Sequence, residues 1–214
     1  MVNSRQLAER VAASLGRPLT ATLQHAKNLR EARGAESEGP LVTAGGRGRN
    51  APAMSRMDAA TLICAVLGSE AVQDSVNTIE SMRKLKANFQ GQRIRSRHDR
   101  QYGRVIDFEI RREHNVIEAL ACVLRVFDRE RELLGQLNLY ESELYAVFEV
   151  EYPLHYASLT VGVRNWFSET WTYGRRSHTR NEQLRRCRQA ALREISDALR
   201  TVADPSKRKV SDEK

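Results

Sequence analysis

LVTAGGRGRNAPAMS, residues 41–55, admits three readings, and the fold of the N-terminal quarter turns on which of them holds. Gly45, Gly46 and Gly48 could cradle a phosphate, loosen a linker, or bend a finger that carries Arg47 and Arg49 to a polyanion. A phosphate loop ends in Lys followed by Ser or Thr, so that the ammonium and the hydroxyl meet the phosphates and their metal ion. Here Arg49 and Asn50 follow the last glycine. A dinucleotide-binding turn follows a strand, whereas the segment upstream has a helical period. Downstream, Ser55 and Asp58 form a capping-box pair at the head of the apolar run Met57–Leu67. The finger therefore lies between helices.

Working upstream, Ser4 can cap a helix with Leu7, Val11 and Leu15 at every fourth position. Gly16 stops it, and Pro18 suits the first turn of a second helix. That helix places Leu19, Leu23, Ala26 and Leu29 on one face and Arg17, Thr20, Gln24 and Asn28 on the other, with Lys27 at the edge. Two short helices around a three-residue turn have the geometry of a helix-turn-helix, whose second helix enters the major groove.

The run QLAERVAASLGRPLTATLQHAKNLREA (6–32), followed by LVTAGGRGR (41–49), resembles the bacterial winged helix-turn-helix family over residues 4–56. One departure is the enlarged loop ARGAESEGP (32–40) between the helix end and Leu41. The resemblance implies double-stranded DNA as partner and a Leu41-Val42 strand leading into a Gly-rich hairpin, the wing. Arg17, Thr20, Gln24, Lys27 and Asn28 would then reach base edges or nearby phosphates, and Arg47 and Arg49 would lie against the minor groove or backbone. More loosely, the arrangement is similar to uncharacterised proteins of alphaproteobacterial prophages and phage-like elements, from which no activity carries over.

The charge pattern supports a polyanion partner. The net charge of +8 divides into alternating blocks. Residues 1–57 hold nine Lys/Arg against four acids, 58–82 hold four acids and no base, and 83–112 hold ten bases against three acids. Residues 113–174 reverse to four against ten, and 175–214 return to twelve against six. The stretch 84–104 has no apolar stripe, and Arg93, Arg95 and Arg97 are spaced to meet successive phosphates as an arm, or to keep an interdomain linker solvated.

Beyond it the pattern changes. Val105–Ile110, Leu144–Val150 and Ala157–Val163 alternate as half-buried strands, and a short strand at Trp171–Tyr173 follows. Asn115 to about Arg131 reads as an apolar helix. Thr179 and Glu182 are placed to cap a long helix carrying Leu184, Cys187, Ala191, Ile195, Leu199 and Val202, whose narrow apolar stripe suits a core contact or a dimer seam. The expected class is α+β: a winged helix-turn-helix followed by a small, mostly antiparallel sheet with helices packed on it. Four segments follow: a DNA-binding module with two packing helices (1–83), a basic linker or arm (84–104), an α+β assembly or sensor domain (105–204), and a disordered tail (205–214).

Catalysis is not expected. Asp107 with Glu109, and Glu149 with Glu151, share strand faces without the Lys of a restriction-type nuclease core, and alternation explains both pairs. The five histidines are scattered, and Cys64, Cys122 and Cys187 lack ligand spacing and read as small buried hydrophobes. No metal, cofactor or membrane segment is expected, and the location expected is cytoplasmic. The function expected is DNA binding, as a bacterial or phage transcriptional regulator. A DNA-packaging protein like a small terminase subunit and a protein-interaction module are the alternatives. A homo-oligomer is expected, a dimer before a ring.

Overall fold

The computed structural model describes residues 2–32, 40–43, 52–88, 94–95, 107–136, 142–152, 156–164, 167–175 and 183–200. The first helix, α1 (Ser4–Leu15), is capped by Asn3, whose Oδ1 accepts from Gln6 N at 2.9 Å while Gln6 Oε1 accepts from Asn3 N at 3.1 Å. Gly16 ends it at φ 60°, a left-handed conformation that costs glycine nothing. After the turn, α2 (Leu19–Glu31) packs back on α1.

Helix α3 (Arg56–Gly68) is opened by the Ser55–Asp58 capping box and is buried on every side from Asp58 to Gly68. A helix apolar all round belongs inside the fold, and α3 touches α1, α2, α4 (Ser75–Lys84) and the sheet. A single 3-10 turn, Val72–Asp74, leads into α4. Two further helices follow, α5 (Val116–Asp128) and α6 (Glu130–Gln136). Asn115 caps α5, its Oδ1 accepting from Ile117 N and Glu118 N, and Glu118 reaches back to Asn115 N.

The sheet is antiparallel at every pairing. Strands β3 (Leu144–Tyr152), β4 (Tyr156–Val163) and β5 (Phe167–Gly174) form a meander. Strand β6 (Gln183–Arg188) pairs with the outer side of β3, and the final helix α7 (Gln189–Arg200) follows it directly. Two short strands, β1 (Ala87–Asn88) and β2 (Ile94–Arg95), pair with the other edge, on β5. Leu144, Ala146, Phe148 and Val150 of β3 face the helices with Leu159, Val161 and Val163 of β4, all buried. Helices α5 and α7 cover this side, so the mixed helix and antiparallel-sheet class holds.

Several expectations change. Residues 1–83 and 105–204 do not pack apart: one continuous core runs from Leu7 through Ile63 and Phe148 to Ile195, and α1 lies against α7. The stretch 84–104 contributes β1 and β2 to the sheet edge, so that part of it is neither a free arm nor a linker. Leu41 and Val42 are buried bends rather than a strand. Residues 107–110 are not a strand, because Asp107 Oδ1 accepts from Glu109 N at 2.7 Å and Glu109 sits at φ 59°. Residues 183–188 are strand, not helix: β3 offers them six backbone partners, and tertiary pairing overrides helical propensity. Of the stripe expected on the last helix, Ala191 and Ile195 are buried in the core, as is Leu192, and Leu199 packs partly against it. Ser69 is the C-cap of α3, its N–H donating to Ala65 O at 3.0 Å, and its hydroxyl donates to Thr78 Oγ1 at 3.1 Å. Thr179, Glu182, Val202 and the tail from 205 lie outside the described residues.

Candidate nucleic-acid interface

The turn Gly16–Pro18 exposes Arg17 and sends α2 across α1 with a defined face outward. Thr22, His25, Ala26 and Leu29 are buried. This face is rotated from the one expected, since Leu19 is 39% exposed. Two polar residues can go inside because each finds a partner. Thr22 Oγ1 donates to Pro18 O at 3.1 Å, and His25 Nδ1 is 2.7 Å from Ser75 Oγ on α4. Burial, and next the Arg17 charge, push the His25 imidazole down to about 4, so it is neutral near pH 7.

The outward stripe holds Thr20, Gln24 and Lys27, all exposed, with Arg17 at its head. Arg17 and Lys27 meet no carboxylate among the described residues. Asn28 is the exception to the expected set. It is half-buried, its Nδ2 donates to Val72 O at 2.9 Å, and its Oδ1 accepts from Gln24 Nε2 at 2.8 Å. Asn28 thus ties α2 to the 3-10 turn and orients Gln24, rather than reading a base itself.

The chain then returns beside α2. Leu41 N donates to Leu29 O at 3.0 Å, and Met54 N to Val2 O at 3.0 Å. Between them the Asp58 carboxylate, 5% exposed, draws the two sides of the glycine segment together. Its Oδ1 accepts from Thr43 N at 2.7 Å, and its Oδ2 accepts from Thr43 Oγ1 at 2.8 Å, Ser55 N at 2.7 Å and Ser55 Oγ at 2.7 Å. Asp58 is therefore more than a helix cap: it is a clamp at the base of residues 44–51. Arg47 and Arg49 lie outside the described residues, as do Arg93 and Arg97. The backbone of Arg95 is held on β2 opposite Phe167, and nothing further is described of it.

Elsewhere several of the described arginines are paired. Arg56, at the head of α3, binds Asp128 at the end of α5, and Ser196 Oγ of α7 donates to the same carboxylate at 2.6 Å. Arg193 reaches Glu130 at 2.6 Å and lies 5.7 Å from the Phe127 ring centre. Arg125 binds Glu109 at 2.9 Å, and Arg111 binds Asp107 at 3.1 Å. Arg185 Nη1 donates to Leu67 O at 3.1 Å and to Ser69 O, satisfying carbonyls at the end of α3 that no helical N–H can reach. These contacts join residues distant in sequence, and pattern reading could not supply the partners.

The three cysteines are free and buried, and burial pushes the Cys187 thiol up to about 12 and the Cys64 and Cys122 thiols up as well. Buried thiols of this kind are protonated and inert. No described helix is long and apolar enough to cross a membrane. Comparison with protein families, with characterised proteins and with solved structures finds no match for this chain.

Proposed function

We propose that this protein binds double-stranded DNA through α2 and the Arg-Gly segment 44–50, and acts as a transcriptional regulator. The observation that carries the reading is the outward stripe of α2. A helix that follows a left-handed glycine turn presents Thr20, Gln24 and Lys27, headed by Arg17, while its opposite face is anchored in the core. Gln24 can pair its amide with adenine in the major groove, and Arg17 and Lys27 suit phosphates. The Asp58 clamp keeps the ends of the Arg47–Arg49 segment together near the end of α2, where a second element could reach the duplex beside the first. Two copies bound one helical turn apart would read a two-fold site, and a homodimer is the assembly proposed.

Polarisation titration of the full chain against genomic DNA fragments at several salt concentrations tests this. Binding with sequence preference and a steep salt dependence is expected. No binding at low salt overturns the proposal, and binding without preference removes regulation while leaving DNA contact. Mass in solution tests the assembly: a ring of eight or more copies would favour DNA packaging over regulation.

A further inference from the structure

The helix-free face of the sheet carries a second feature, separate from α2. Strand register lays its outward residues in rows. Arg188, Val147 and Thr160 form one row, Arg186, Glu149 and Ser158 the next, and Tyr145 stands opposite Gly162. Of these residues Tyr145, Val147, Glu149, Thr160, Arg186 and Arg188, together with Arg164 and Gln189, line an open groove of about 690 Å³. Gly162 shapes its floor: a β-carbon there would stand 2.8 Å from Tyr145 Cε1 and 2.1 Å from Phe167 O, so the glycine makes room for the Tyr145 ring. The volume falls within the roughly 300–1,000 Å³ of small-molecule sites.

Three arginines enter this groove in three different states. Arg186 is fixed, because Nε donates to Glu149 Oε1 while Ser158 Oγ donates to Glu149 Oε2 at 3.2 Å. Arg164 is loosely held, its Nη2 3.6 Å from Glu143 Oε2, an oxygen that also accepts from Gln189 Nε2 at 3.4 Å. Arg188 is exposed and meets no carboxylate among the described residues. A loosely held guanidinium together with an uncommitted one is suited to a compact anion that both can contact, since planar guanidinium groups bind phosphate oxygens in pairs.

The surroundings favour a small ligand over a polymer. Among the residues that line the groove, the cations sit on β6 and just after β4, while Glu149, held by Arg186, lies on β3 and Glu143 lies on its approach. A nucleic-acid strand crossing the sheet would pass both carboxylates, whereas a single phosphoryl group need displace only the loose Arg164–Glu143 contact at 3.6 Å. From this we infer that the groove binds a phosphate-bearing small molecule of nucleotide size. Its phosphate contacts Arg188 and Arg164, and its body lies over Tyr145 and Val147 within reach of the Thr160 hydroxyl. In a DNA-binding protein such a site would be an effector site, but the inference does not depend on DNA binding.

Calorimetric and thermal-shift titrations of the full chain with inorganic phosphate, pyrophosphate, AMP, GMP, ATP and GTP test the inference. At least one phosphate compound is expected to bind one to one and raise the unfolding midpoint, while the matching nucleoside without phosphate binds at least about tenfold more weakly. Arg188→Ala and Arg164→Ala should each weaken that compound about tenfold. Both side chains are exposed, and an unchanged far-ultraviolet spectrum verifies that the variants fold. Arg17→Ala with Lys27→Ala should leave this binding unchanged, so a failure of the DNA proposal and a failure of this one give different results. Absence of binding by every compound at millimolar concentration overturns the site. So does binding that both groove variants retain. Preferential binding of a single-stranded oligonucleotide, lost in Arg188→Ala, would replace the small-molecule site with a nucleic-acid track.

Discussion

Basic side chains are used in opposite ways in the two halves of this molecule. On α2, Arg17 and Lys27 point outward and meet no carboxylate among the described residues, and the helix is held by Thr22, His25, Ala26 and Leu29 on its other side. Against α5 and the sheet, Arg56, Arg125, Arg186 and Arg193 are each closed onto an acid from a different element. The same residue type thus joins elements at these contacts and stays uncommitted on α2, as Arg188 does on the outer face of the sheet. Net charge does not distinguish these uses. What separates them is whether removing the cation leaves a partly buried acid without its partner.

The largest effect is expected at Asp58, which belongs to both regions. Asp58→Ala leaves two backbone N–H groups and two hydroxyls without their acceptor in a partly buried setting. A loss of about 3 kcal/mol in urea-unfolding free energy follows from four lost hydrogen bonds to a charged acceptor, reduced by water at Ser55. DNA affinity should fall with it, since the 44–51 segment loses its clamp. A variant that loses stability yet binds DNA as before would show that the clamp has no bearing on the interface.

Next comes the paired half. Asp128→Ala removes the partner of the part-exposed Arg56 and one of the two acceptors of Ser196, leaving Leu124 O, a loss of about 2 kcal/mol by urea unfolding. Because α3, α5 and α7 meet at this carboxylate, the protein should still unfold in one transition. Two separated transitions would restore the division into independent N-terminal and C-terminal units.

How far the sequence reaches is also visible in this contrast. The β3 and β4 strands are legible because alternation at Leu144–Val150 and Ala157–Val163 reflects a sheet with one side in the core. The Asn115 and Ser55 caps are legible because their partners lie three residues away. Residues 183–188 are not, since Leu184 and Cys187 have a helical spacing and only the waiting edge of β3 makes them a strand. On α2, the exposure of Thr20, Gln24 and Lys27 follows from the helical period. Asn28 does not, because the carbonyl that claims it belongs to Val72, 44 positions later. The groove was hidden twice, by the misread β6 and by a register that brings Arg188 beside Val147 only after folding.

A third test concerns the anchored side of α2. His25 titrates about pH 4 in the folded chain against an ordinary value of 6.5, lowered first by burial and then by Arg17. Between those values the unfolded chain binds more protons, so stability falls as pH drops from 6.5 towards 4 and is unaffected above that window. A loss of about 1–2 kcal/mol is expected, allowing for screening by water at the helix surface. His25→Gln should flatten this part of the pH profile relative to the parent, measured by urea unfolding at a series of pH values. An unchanged profile would mean that other groups carry the acid sensitivity.

The smallest effect on stability is the most telling for function. Replacing Arg17 and Lys27 together by Ala removes two exposed cations that meet no carboxylate among the described residues, so the unfolding free energy should move by less than about 0.5 kcal/mol. If both touch DNA phosphates, each releases close to one counterion on binding, and the slope of log affinity against log salt should shrink by about 2. The loss should be similar on all sequences, because phosphate contacts position without reading. Gln24→Ala provides the complement: it should alter preference among sequences more than total affinity, with the salt slope unchanged. A double Arg17/Lys27 variant with a parental slope would place the uncommitted cations of α2 away from DNA. Their exposure would then be a matter of solubility, and the distinction between the two halves would no longer be a distinction in function.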